Sequence, residues 1–88
     1  MPRYTLKSVT EADRQYAILP EATRRLADRR IQELLDNPTG NPDKQYDQQF
    51  DQWSIPIGDD KGWIVYTVVK NTRLVILLRF LPGLDERE

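Results

Sequence analysis

Apolar and polar positions fall into two regimes along this chain. Between Ser8 and Asp36 the apolar residues recur at helical spacing, whereas from Trp53 to Leu81 they run almost unbroken. Ahead of both, Arg3 to Lys7 alternates weakly, Tyr4 and Leu6 against Arg3, Thr5 and Lys7, and predicts a short first strand. Ser8-Val-Thr-Glu11 has the form of a capping box and predicts a helix from there to about Leu19, ended by Pro20. A second helix is expected from Pro20 to Asp36. At 100° per residue its Leu26, Ala27, Ile31, Leu34 and Leu35 share one half of the wheel. Glu21–Arg25 and Arg29–Glu33 are oppositely charged pairs one turn apart. Asn37-Pro38-Thr-Gly-Asn-Pro42 then stops the helix.

The segment Asp43–Gln52 is rich in Asp and Gln and predicts a surface loop, pinned by Tyr46, Phe50 and Trp53. Three β-rich runs follow: Trp53–Ile57, Trp63–Val69 and Leu74–Leu81. Short spacers at Gly58–Gly62 and Lys70–Arg73 join them, so an antiparallel meander is expected. Pro56 cannot donate to a ladder and predicts an edge or a bulge at its position. The pattern as a whole is an α+β, two-layer domain over residues 1–88: an N-terminal strand, a helix hairpin, a three-stranded meander and a frayed tail over 83–88. The last two strands are apolar on both parities, so both faces of the sheet need cover. A helix hairpin covers only one. The other, expected to present Trp63, Val65, Leu77 and Leu81, calls for a partner.

Composition narrows the chemistry. The chain has 88 residues, with 13 Lys and Arg against 14 Asp and Glu, and no cysteine or histidine. Disulfides, the common zinc sites and nucleophile pairs built on histidine are therefore excluded, and no cofactor is expected. The pI near 5.4 is low for a protein that grips a phosphate backbone by charge alone. Five aspartates against two lysines make Pro42–Gly62 acidic. Nothing approaches membrane-spanning length, and a cytoplasmic location is the expectation.

The order of elements, with Ile18-Leu19-Pro20, Ile31-x-x-Leu34-Leu35-x-Asn37-Pro38, Trp53-Ser-Ile-Pro-Ile57, Ile64-Val-Tyr-Thr-Val68 and Leu74-Val-Ile-Leu-Leu-Arg-Phe80, resembles the RelE/ParE toxin superfamily. The likeness spans roughly Arg3 to Leu81 and is greatest to the RelE and YoeB branches. It implies the toxin of a type II toxin–antitoxin pair, an antitoxin covering the open sheet face, and mRNA cleavage on the ribosome or, in ParE-like members, action on DNA gyrase. Among its positions, Arg79 matches an arginine of the YoeB-like ending and Tyr66 a tyrosine that packs on the helices. Ser54, Pro56 and Trp63 stand where family nucleases carry basic residues, and Leu81 and Pro82 replace a terminal His-Tyr pair.

RNA cleavage by 2′-OH attack needs a base, a cation for the developing phosphorane charge and a proton for the leaving oxygen. Arg79, Lys61 and Arg73 are the candidate cations. No carboxylate is expected on the open face, so the sequence offers no general base. Two functions remain at this stage: a ribosome-dependent mRNA endoribonuclease with a degenerate site, and a non-catalytic, partner-binding module on the same scaffold. Homodimer formation is left open alongside an antitoxin.

Overall fold

The computed structural model describes residues 3–58 and 61–83. Of the frayed tail expected over 83–88, Gly83 is buried, and residues 84–88 lie outside the described residues. The elements are β1 (Thr5–Ser8), α1 (Thr10–Ala17), α2 (Glu21–Asp36), β2 (Gln45–Asp47), β3 (Gln52–Gly58), β4 (Gly62–Val69) and β5 (Leu74–Pro82). The strands form one sheet in the order β1-β5-β4-β3-β2. β1 lies parallel to β5 and the other neighbours are antiparallel. The α+β architecture with its meander is as the pattern predicts. No helix among the described residues is long and apolar enough to cross a membrane.

One strand was hidden from the pattern. Gln45-Tyr46-Asp47, expected to be loop, is β2, paired to β3 through Gln45↔Ser54 and Asp47↔Gln52. All three of its residues are exposed, so no alternation marks them. Main-chain pairing and a Tyr46–Trp53 ring contact with centroids 4.6 Å apart hold the strand in place. Of the three expected aromatic pins only Trp53 packs against the core. Tyr46 donates to Asp51 Oδ1 at 2.6 Å, and that bond raises its phenol above the usual range. Phe50 is 61% exposed and pins nothing.

The capping box does not form. Ser8 is held extended by its register with Leu77, and the Val9 N–H bonds the Leu77 carbonyl at 3.1 Å. The helix therefore begins at Thr10 with Val9 as an N-cap that makes no side-chain bond. Ser8 Oγ donates to Asp13 instead. At the other end α1 stops at Ala17, before the expected Leu19, as Ile18 and Leu19 bond the carbonyls of Gln15 and Tyr16. In α2, Glu21 and Arg25 pair at 3.0 Å, but the expected Arg29–Glu33 pair is displaced. Glu33 takes Arg30 at 2.9 Å and Asn41 at 3.0 Å, and Arg30 reaches on to Asp43 at 3.0 Å, fastening the loop after the helix.

The core lies between the helix pair and one face of the sheet. Ala12, Ala27, Ile31, Leu34 and Leu35 close over Ile55, Ile57, Ile64, Tyr66, Val75, Leu77 and Phe80. Tyr66 is fully buried, and its hydroxyl donates to the Pro38 carbonyl at 2.7 Å. Burial disfavours the phenolate, pushing its pKa from 10.0 up to about 12. Below the lower value both folded and unfolded states keep the proton, and stability is unaffected. Between the two values only the unfolded state ionises, so stability falls as pH rises, by about 2–3 kcal/mol in all. Tyr66→Phe is expected to cost about 1 kcal/mol at neutral pH, because the Pro38 carbonyl loses its donor. The same variant should lose less stability than the parent in urea unfolding between about pH 10 and 12. An equal alkaline decline in both proteins would assign the effect to other groups.

Candidate functional site

Strand register places the site. Gln45↔Ser54, Ser54↔Val65 and Val65↔Arg79 make one row across β2, β3, β4 and β5, on the face away from the helices. Asp47 and Gln52 flank this row on one side; Trp63 and Leu81 flank it on the other. With Trp53 these side chains line a hollow of about 270 Å³, and no helix residue is among them. Among the described residues no helix covers this face, as the strand pattern predicts, although Val65 at the centre of the row is itself buried by its neighbours.

A β-bulge decides which residues reach that face. Val65 pairs with Arg79 but Tyr66 pairs with Leu77, so Leu78 is an extra residue in β5. An inserted residue reverses the alternation on either side of it. Leu77, expected to share the open face with Leu81, therefore lies in the core at 4% exposure. Trp63, Val65 and Leu81 do line the hollow, Leu81 at 40% exposure. The irregularity that Pro56 predicts is also present, as a register shift between Pro56 and Gly58 inside a non-edge strand.

The three candidate cations are not brought together. Arg79 stands in the hollow, its Nη2 3.4 Å from Gln52 Oε1. Among the described residues it makes no ion pair. Lys61 and Arg73 sit in the turns at opposite ends of the eight-residue β4. At about 3.3 Å per residue those turns are roughly 25 Å apart, so no single phosphate meets both. Neither residue lines the hollow. Arg73 adopts a positive φ of 52°. Its main chain builds the turn, with the N–H on the Lys70 carbonyl at 3.2 Å and the carbonyl accepting from Thr5 at 2.7 Å.

The structure supplies a group that sequence reasoning missed. Asp47, carried by the unforeseen β2, lines the hollow together with Arg79, against the expectation of no carboxylate on this face. Its Oδ1 accepts from the Gln49 N–H at 3.0 Å, and Oδ2 has no partner among the described residues. A carboxylate thus lies toward one edge and a guanidinium toward the other, with Gln52 and Ser54 of β3 and Val65 of β4 between their strands. The indole of Trp63 supplies an apolar wall. Such a surface offers a proton acceptor, a fixed cation and a stacking plane within one concavity.

No protein-family model and no curated protein matches the sequence. Solved structures do match in shape. The isolated RelE toxin of Escherichia coli superposes with a TM-score of 0.79 at 20% identity, covering 97% of this chain and 87% of that one. A RelE–RelB complex from Pyrococcus horikoshii gives 0.73 at 19% identity with both chains covered completely. A YoeB/ParE toxin from Agrobacterium tumefaciens gives 0.77 at 13% identity, covering 90% of this chain and 98% of that one. On these superpositions this chain has the fold of the RelE/ParE toxins.

Proposed function

We propose that this chain is the toxin half of a type II toxin–antitoxin pair, with the uncovered sheet face as its working surface. The observation that carries this reading is the hollow on that face, where Asp47 and Arg79 stand among Trp63, Val65 and Leu81. An apolar sheet face left bare by its own helices needs cover, and a protein antitoxin provides it. The P. horikoshii structure is itself a RelE–RelB complex, and another structural neighbour is a YoeB–YefM complex from Staphylococcus aureus.

With the antitoxin removed, the same hollow takes an RNA strand presented on the ribosome. The Asp47 carboxylate accepts the 2′-OH proton, and the 2′ oxygen attacks phosphorus. A 2′,3′-cyclic phosphate forms as the bond to the 5′ oxygen breaks, and that oxygen takes a proton from water. Arg79 meets the charge that develops on the phosphoryl oxygens. Trp63 stacks on a flanking base. Lys61 and Arg73, at opposite ends of β4, do not both reach this phosphate, and neither lines the hollow.

A second reading has its own support. The positions around the hollow that β3 and β4 turn to this face, Gln52, Ser54, Pro56, Val65 and Trp63, are an uncharged rather than a basic set. That favours a module that binds a protein without cleaving RNA. Induced expression separates the two. The parent chain is expected to arrest growth with cuts in ribosome-bound messages, and Arg79→Ala to relieve the arrest and reduce the cuts by about 100-fold or more. Arrest with intact messages would favour a binding module directed at another target, such as gyrase. No arrest would favour an inert binder.

A further inference from the structure

The helix side carries a second concavity that the sheet-face reading leaves unused. β1, α1 and α2 make three sides of a frame, and polar pairs latch its corners. Ser8 Oγ donates to Asp13 Oδ1, joining β1 to α1. Tyr16 donates to Asp28 Oδ1 at 2.6 Å, joining α1 to α2. Arg3 donates to Asp36 at 2.8 Å and to Gln32 Oε1 at 2.7 Å, joining the start of the chain to the end of α2. Within the frame lies a hollow of about 440 Å³, with Ala12, Ile31, Leu77 and Phe80 among its lining.

The latches differ in charge. Asp36 is balanced by the Arg3 guanidinium. Asp13 and Asp28 accept only from neutral hydroxyls, and neither makes an ion pair among the described residues. Arg24 is near enough to act on the Tyr16 phenol, but its guanidinium donates to the Ala17 carbonyl at 3.4 Å and not to Asp28. An apolar hollow is thus rimmed by two carboxylates that no cation among the described residues pairs with directly. Its apolar lining includes Leu6, 39% exposed, which continues it onto β1, the edge strand of the sheet. A compact ligand would fill the hollow and leave that edge bare, whereas a chain segment spans both.

We infer that the frame of β1, α1 and α2 docks a protein segment that inserts aliphatic side chains between Ala12, Ile31 and Leu77 and sets lysine or arginine against Asp13 and Asp28. An acidic segment is disfavoured there, since it would face those two carboxylates. The site is on the opposite side of the sheet from Arg79 and stands whether or not the chain cleaves RNA.

The test uses the isotope-labelled full chain and two acetylated peptides, Lys-Leu-Leu-Lys and Glu-Leu-Leu-Glu, followed by backbone amide chemical shifts. The lysine peptide is expected to move the signals of Leu6, Ala12 and Ile31. The glutamate peptide should bind at least about threefold more weakly. Asp13→Asn/Asp28→Asn keeps an oxygen acceptor for each hydroxyl while removing both charges, and should weaken the lysine peptide by about three- to tenfold. Raised salt on the parent protein provides the same reading should that variant fail to fold. Equal binding of the two peptides, shifts centred on Val65 and Arg79 instead, or no shifts at millimolar peptide would each overturn the inference.

Discussion

Asp47→Asn is expected to slow RNA cleavage by about 10²- to 10⁴-fold, the usual contribution of a positioned general base. The substitution isolates charge from structure. Asn keeps the oxygen that accepts the Gln49 N–H, so the turn after β2 persists. Because Asp47 is exposed, its replacement should change stability by no more than about 0.5 kcal/mol. Single-turnover cleavage of a ribosome-bound message is the measurement. Arg79→Ala should slow the same step by about 10²- to 10³-fold, through loss of the cation at the phosphoryl oxygens. An Asn variant as fast as its parent would remove Asp47 from the chemistry. A parent chain that binds its antitoxin tightly and cleaves nothing would favour the protein-binding module instead.

How far the sequence led can be judged from particular residues. The helices, the meander and the face without helix cover were legible because each marks the pattern: a 3.6-residue period in Ala27, Ile31, Leu34 and Leu35, and near-continuous apolarity in β4 and β5. The site was only partly legible. Arg79, Trp63, Val65 and Leu81 converge on the hollow as expected. Leu77 does not, because Leu74 to Leu81 is apolar at every position except Arg79. In such a run a one-residue bulge leaves no mark on the pattern, yet it moves every residue beyond it to the other face.

Asp47 was missed for the opposite reason. β2 carries a single apolar residue, Tyr46, between two polar ones, and the segment around it reads as loop on composition. Hairpin pairing to β3, which composition alone does not register, makes it a strand and turns its carboxylate toward Arg79's side of the sheet. A signal was present in hindsight: Tyr46 and Trp53 bracket the turn symmetrically and meet as ring partners. Lys61 and Arg73 could be grouped at one phosphate only while their distance along β4 was ignored. Counting the eight residues between the two turns would have separated them without any coordinates.

Gly62→Ala is the expected lesion of largest effect on the fold, and it reaches the site as well. Gly62 opens β4 with φ at +116°, in a region that side-chain-bearing residues rarely enter. It is paired on both sides, to Gly58 of β3 and to Pro82 of β5. A Cβ added there would lie 2.2 Å from the Leu81 carbonyl oxygen and 3.1 Å from the Gly83 nitrogen. Both are main-chain atoms, so no rotamer change relieves the contact. Backbone strain of about 1–3 kcal/mol adds to a similar cost for forcing the strands apart, giving a loss of about 2–6 kcal/mol. For so short a chain, with total stability toward the lower end of about 5–15 kcal/mol, that leaves a large unfolded fraction at 37 °C. The residue that must give way is Leu81, which with its register partner Trp63 forms the apolar end of the hollow. Urea unfolding should therefore show a clear drop in midpoint, and antitoxin binding should weaken even in cold conditions where the variant stays folded. A midpoint shift worth less than about 1 kcal/mol would mean that the start of β4 can relax, and that the end of β5 is not the rigid wall the hollow requires.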